Sequence, residues 1–169
     1  SVLMVKSPTA GRTAQRLVLS VGAIKGFPVI SIDLPSAFLQ GQLLSDARTS
    51  DGAQREAFMV PPSDVWELLP NSHKIDPRIK LSTICWRLLV AVYGLRDAPR
   101  LFIQVLTEWL LGNGWEQSIF DEQFFYLRTS ADTTGRRYLK GVLAGHVDDL
   151  STAAEQSVID WTIAGLKKR

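Results

Sequence analysis

Apolar positions recur at helical spacing in two well-marked stretches and run continuously or alternate in several shorter ones. Leu17, Val21 and Ile24 follow a start at Ser7-Pro8, where Ser7 would cap a helix and Pro8 fill its first position; Gly26 and Pro28 then close it. Val29-Ile30-Ser31-Ile32-Asp33 reads as a short, largely buried strand broken by Pro35, with a turn or helix start over 36–39. A polar, patternless loop is expected over 45–57, a strand over 57–60 stopped by Pro61-Pro62, and a short helix over 64–69. Another polar loop runs to 81, and strand formers then gather over 83–90. The widest apolar stripe, Leu101, Phe102, Val105, Leu106, Trp109 and Leu110, predicts a helix opened by Asp97-Ala98-Pro99 and terminated by Gly112-Asn113-Gly114. Two strands, 123–128 and 137–147, flank a turn around 132–135, and a tight turn is expected at Asp148-Asp149. A closing helix is predicted over 153–168, with Val158, Trp161 and Leu166 on one side. Strands joined by short turns and mixed with helices indicate an α+β domain, an antiparallel sheet with helices packed on one face.

Composition narrows this picture without redirecting it. The 169 residues suffice for one domain with its own core, and 46% hydrophobic with 21% charged residues is ordinary for a globular chain. No apolar run approaches the ~20 residues of a membrane helix, so no membrane partner is expected. One cysteine, Cys85, excludes an internal disulfide, and two histidines, His73 and His146, are too few for a zinc site; a reducing intracellular compartment is the simplest reading. The net charge of +2 is unevenly spread: Lys6, Arg12, Arg16 and Lys25 precede any acid, and Lys167, Lys168 and Arg169 end the chain. Between them, over 33–70, Asp33, Asp46, Asp51, Glu56, Asp64 and Glu67 outnumber Arg48 and Arg55. That pattern suits a phosphate-binding rim beside a metal site, and equally suits solvated helix faces.

Two places could carry chemistry. Asp148-Asp149 directly follows an apolar strand, where adjacent acids repel each other and gain little from packing. A solvated turn accommodates such a pair, and from the pair alone the turn is the more economical reading. Asp33 also ends an apolar strand. If the two strands lie side by side, three carboxylates converge, a hard-oxygen set suited to Mg²⁺ shared with substrate phosphates. A helix N-cap ahead of Pro35 is the other use for Asp33.

The wording around these acids resembles a known family. Asp33-Leu34-Pro35-Ser36-Ala37-Phe38-Leu39-Gln40-Gly41-Gln42-Leu43 resembles the D-x-x-x-A-F-L-x-G-x-L segment of Ty1/copia-type retrotransposon reverse transcriptases. Ser7-Pro8-Thr9-Ala10 is similar to the S-P-[VT]-A that precedes that family's first palm helix. Tyr93-Gly94-Leu95-Arg96-Asp97-Ala98-Pro99-Arg100 resembles its Y-G-L-K-Q-A-P-R, and His146-Val147-Asp148-Asp149-Leu150 its Y-V-D-D-[ML]. Phe58-Met59-Val60-Pro61-Pro62 and Gly114-Trp115 agree with its connecting fragments. The motifs follow in order along almost the whole chain, and that ordering, more than any one of them, makes the likeness specific.

The resemblance implies a partial reverse-transcriptase domain over 1–169: a palm with remnants of the fingers and no thumb. It implies an RNA-directed DNA polymerase, with template-primer, dNTPs and the rest of a Pol polyprotein as partners. The expected compartment is the cytoplasm, in a virus-like particle, or the nucleus. Asp33, Asp148 and Asp149 would hold two Mg²⁺ ions, with Mn²⁺ as a substitute. Phe38 would be the aromatic that crowds a 2′-hydroxyl, though an aromatic between Ala37 and Leu39 also suits plain core. Tyr93 and Gly94 would lie against the incoming nucleotide and Arg96 near its phosphates or the template, a surface salt bridge being the alternative for Arg96. His146 stands where the family has Tyr beside the primer terminus; an imidazole can stack on a base or contact phosphate. Asp97 replaces the customary Gln and would place a negative charge near Arg96. Competing expectations are a decayed copy that keeps the palm without catalysis, and a nucleotidyl cyclase, against which the 33–43 and 93–100 segments argue.

Overall fold

The computed structural model describes residues 9–49, 51–62, 64–70, 78–80 and 83–167. The expected cap at Ser7-Pro8 lies outside these residues, but Thr9, Ala10 and Gly11 are not helical: residues 9–10 pair beside His146 and Gly145, so the first helix begins later than expected. The first helix, α1, runs Arg12–Lys25 and buries Ala14, Val18 and Gly22, one residue per turn. Gly26 ends it at φ 67°, a left-handed position that favours glycine, and the Phe27 amide donates back to the Gly22 carbonyl at 3.0 Å. Strand β1 (Val29–Asp33) follows, then a 3₁₀ turn at Ala37–Gln40. Strand β2 (Phe58–Met59), helix α2 (Val65–Leu68) and strand β3 (Trp86–Arg87) form a small outlying unit in which β2 pairs with β3. Helix α3 is Ala98–Gly112, with Pro99 in its first turn. Strands β4 (Glu116–Gln117), β5 (Phe124–Arg128), β6 (Leu139–His146) and β7 (Asp149–Ala154) come next, and α4 (Gln156–Lys167) ends the described chain.

The main sheet has the order β1-β7-β6-β5-β4, and every pairing is antiparallel. Residues directly opposed across two strands share a face. Val29, Ser31 and Asp33 on β1 therefore lie with Ala153, Ser151 and Asp149 on β7, and with Val142, Ala144 and His146 on β6. This side receives α1: Ala14 and Val18 pack with Val142, Ala144 and Ala153. The opposite side carries Ile32, Leu143, Leu150 and Ala154 into a larger core with α3 and α4, including Leu101, Leu106, Leu110, Ile159 and Leu166.

Helices thus cover both faces of the sheet, where one face was expected. The reason lies in β6, whose residues from Gly141 to Gly145 are all buried: a strand apolar on both sides needs cover on both. Strand β1 also departs from expectation. It is not largely buried, because it is an edge strand bonded only to β7, and Ile32 alone is fully covered. The closing helix begins three residues later than predicted, since Ala153 and Ala154 belong to β7. The turn falls at Val147-Asp148, and Asp149 already belongs to β7. Among the described residues no helix is long and apolar enough to cross a membrane.

Helices α3 and α4 meet at Gly165. A Cβ there would lie 2.4 Å from Trp109 Cζ2, and Trp109 also packs on Trp161 with ring centroids 6.2 Å apart. Overpacking of this kind costs about 1–3 kcal/mol. Gly165→Ala is therefore expected to lower the denaturation midpoint with no change in denaturant slope, measured by urea titration followed through tryptophan fluorescence.

Candidate functional site

Backbone pairing carries the site. In the β1–β7 register Asp33 stands opposite Asp149, and in the β6–β7 register Asp149 stands opposite His146. His146, Asp149 and Asp33 thus form a row across three neighbouring strands on the α1 side of the sheet. Asp148 occupies the connecting turn, where its carbonyl accepts the Leu34 amide at 3.1 Å. The chain places Asp33 and the Asp148-Asp149 pair more than a hundred residues apart, and the sheet brings them to one end of adjacent strands.

The turn is conformationally costly. Val147 has φ 57°, in the left-handed region that a β-branched residue rarely enters, and such a position costs on the order of 1–3 kcal/mol. Neighbouring ladders hold it. Thr9 bridges His146, and the Ala10 amide donates to the Gly145 carbonyl at 2.8 Å, so residues 9–10 take over beside β6 where β5 ends. An open groove of about 490 Å³ lies beside the row, lined by Gln15, Val18, Ser31, His146, Asp149 and Ser151. Its hydroxyls and amide come from positions that the sequence alone does not mark, because Ser31, Ser151 and Gln15 look like ordinary outward residues of a strand or helix.

The convergence is one of backbone. Among the described residues no three His, Cys, Asp or Glu side chains gather closely enough to share an ion. Asp33 and Asp149 are exposed and Asp148 is half-buried, so solvent reaches all three carboxylates.

The remaining expected site residues form a second group. Phe38 is only 8% exposed and belongs to the larger core. Its ring lies 4.4 Å from that of Tyr93 and 6.5 Å, edge-on, from that of Phe102. Tyr93 itself is 62% exposed. Gly94 has φ 99°, which a side chain would strain, and it turns the chain toward α3. Arg96 is exposed and, among the described residues, pairs with no acid.

Asp97 does not offer its charge to Arg96. It is buried at the head of α3, and its carboxylate is held by Arg55, whose Nε lies 2.8 Å from Oδ2. Burial pushes the Asp97 pKa up, but the Arg55 hydrogen bond and charge, with a smaller contribution from Arg100, leave it below its ordinary 3.8. The Asp97 hydrogen bond in turn raises Arg55. Sequence reasoning missed Arg55 because it sits in a polar loop with no periodicity to mark it.

The chain is similar to two curated proteins of Arabidopsis thaliana. It is 28% identical over 164 residues to the retrovirus-related Pol polyprotein from transposon RE1, and 30% identical over 164 residues to that from transposon RE2. Each match covers 96% of this chain and 9% of the relative's length. No family model matches the chain. No solved structure matches it either. The chain is therefore related, over nearly all its length, to one short segment of transposon-encoded Pol polyproteins.

Removing Arg55 would leave the Asp97 carboxylate buried and unpaired, at a cost of about 3–5 kcal/mol. Arg55→Met is expected to lower stability by that amount in urea unfolding at pH 7. Because the folded pKa of Asp97 is depressed, the pair's contribution is complete above 3.8 and fades as pH falls below it. The gap between wild type and Arg55→Met should therefore narrow below pH 4, and a constant gap would mean that charge is not the cause.

Proposed function

We propose that the chain is the palm of a retrotransposon reverse transcriptase, an RNA-directed DNA polymerase that adds dNTPs to a primer. The observation that carries this reading is the rung between Asp33 and Asp149, with Asp148 one residue away in the turn. Like charges set directly opposite one another destabilise a sheet, so a functional demand is the natural reason to keep them there. Support also comes from the ordered likeness of the segments 33–43, 93–100 and 146–150 to Ty1/copia-type polymerases, and from relatives named as Pol polyproteins.

The donor chemistry fits Mg²⁺. Three solvent-reached carboxylates are hard oxygen ligands, and opposed residues have Cβ atoms about 5 Å apart, near enough for Asp33 and Asp149 to share an ion by side-chain rotation. Asp33, Asp148 and Asp149 would hold two ions, with Mn²⁺ able to substitute. When bound, such a pair activates the attacking hydroxyl and stabilises the leaving pyrophosphate. The protein's own part would be to fix the backbone that bears the acids on a sheet backed by two cores. His146, at the end of the row, would contact a primer terminus. Arg96, exposed and without an acid partner among the described residues, would offer a cation to phosphate; Tyr93, packed on Phe38, and Gly94 after it would lie against the incoming nucleotide. Template-primer, dNTPs and the remainder of a Pol polyprotein are the partners that this activity requires.

A second reading, a palm that keeps its fold without catalysis, draws on one observation: the three carboxylates are not gathered about a common point. One experiment separates the two. Extension of an oligo(dT) primer on poly(rA) with dTTP and Mg²⁺ or Mn²⁺ is expected, and Asp33→Asn or Asp148→Asn should reduce it by roughly 100-fold or more. The melting temperature of either variant should hold or rise, because like-charge repulsion is relieved. No extension from well-folded wild type would favour the inactive palm.

A further inference from the structure

We propose that the loop joining β4 to β5 is an interface between two copies of this chain, each copy seating its Ile119 in a recess between α1 and β5 of the other, with Phe120 at the rim. The proposal is independent of the polymerase reading. Ile119 is 91% exposed and Phe120 93%, the most exposed large apolar side chains among the described residues. Scattered apolar residues on a surface are ordinary, but these two are adjacent and border a recess of about 510 Å³. Its walls are largely apolar: Ala14 and Leu17 from α1, Phe124 and Tyr126 from β5, and Phe120 itself.

Hydrogen bonds fix the loop in this outward form. The Ser118 amide donates to the Phe124 carbonyl at 2.8 Å, and the Phe124 amide to the Asp121 carbonyl at 3.0 Å. The Phe120 amide donates to Ser118 Oγ at 3.2 Å. The Asp121 carboxylate accepts the Gln123 amide at 2.9 Å and the Gly11 amide at 2.8 Å, which ties the loop to the head of α1. A knob held in one conformation loses little freedom on docking. Knob and recess also lie side by side, as an interface closed by a two-fold axis requires, since each contact is then made twice. A second copy therefore meets both needs at once, covering the apolar pair and filling the recess. Charge agrees with this occupant: exposed Glu122 follows the knob, and exposed Arg12 and Arg16 sit on the turns of α1 that line the recess. An aromatic side chain buries about 150–250 Å². Two apolar pairs and the walls that receive them would cover on the order of 1,200 Å², the lower end for a stable interface.

The test is sedimentation equilibrium of the full chain over a range of concentrations, for wild type, the knob variant Ile119→Lys, the wall variant Leu17→Lys, and an equimolar mixture of the two variants. Wild type should form a dimer that dissociates in the micromolar range. Ile119→Lys should raise the dissociation constant about 30-fold or more while leaving the circular dichroism unchanged, because its side chain touches little of its own copy. Leu17→Lys should do the same, and Thr13→Lys on the same wall replaces it if Leu17→Lys lowers the melting temperature. In the mixture the intact knob of one variant meets the intact recess of the other, so a heterodimer should form where each variant alone stays monomeric. Three results would overturn the proposal. Wild type could remain monomeric at the highest concentration reached, or dimerise equally well with Ile119→Lys. The mixture could also stay monomeric, or wild type assemble into species that keep growing with concentration, and either would exclude a reciprocal, closed pair.

Discussion

The register between β1 and β7 sets both the core and the site. Five rungs pair Val29 with Ala153 through to Asp33 with Asp149, so Ile32 is opposed to Leu150 and their side chains enter the larger core together. A slip of one residue would turn Ile32 to the opposite face and take Asp33 out of the row. Burying a side chain such as Ile or Leu is worth about 1.5–3 kcal/mol. Repulsion between two solvent-reached carboxylates at contact distance is about 1 kcal/mol. Burial therefore wins, and the apolar residues impose on the acids a proximity that the acids alone would not choose.

That balance explains which features were legible in the sequence. Helices α1 and α3 advertise themselves through apolar spacing, with Gly26 and Pro99 marking where one ends and the other begins. Strand β1 was legible to the residue, but its burial was not, since an edge position depends on what fails to pair with it. Strand β7 was hidden: Ala153 and Ala154 favour helices, and only β6 and β1 on either side turn them into strand. The second covered face could have been read from the unbroken apolar run in β6, which a sheet with one solvated face would have interrupted with polar residues.

The segment 93–100 shows where residue-by-residue likeness stops being informative. Tyr93 and Arg96 are exposed, whereas Asp97 and Ala98 are buried, so one continuous motif divides into outward and inward halves. Asp97 looks by sequence like an extra charge beside Arg96. In the fold it is the buried anchor that fixes the loop bearing Arg55 to the head of α3. Only tertiary structure could reveal this, because its partner lies 42 residues away without a pattern of its own.

The turn at the end of β6 gives the most economical argument for a functional demand. A β-branched residue at φ 57° is unfavourable, and glycine or asparagine would meet the turn at less cost. The fold sustains the strain because β7 is hydrogen-bonded on both sides, to β6 and to β1, and because residues 9–10 clasp His146 and Gly145. With both flanks fixed, the turn has little freedom, and the Leu34 amide ties the Asp148 carbonyl to the end of β1. Strain of this kind persists where the surrounding structure over-determines the backbone. Here the over-determination falls on the two residues that link His146 to Asp149, so the strained turn and the row of His146, Asp149 and Asp33 are set by the same backbone constraint.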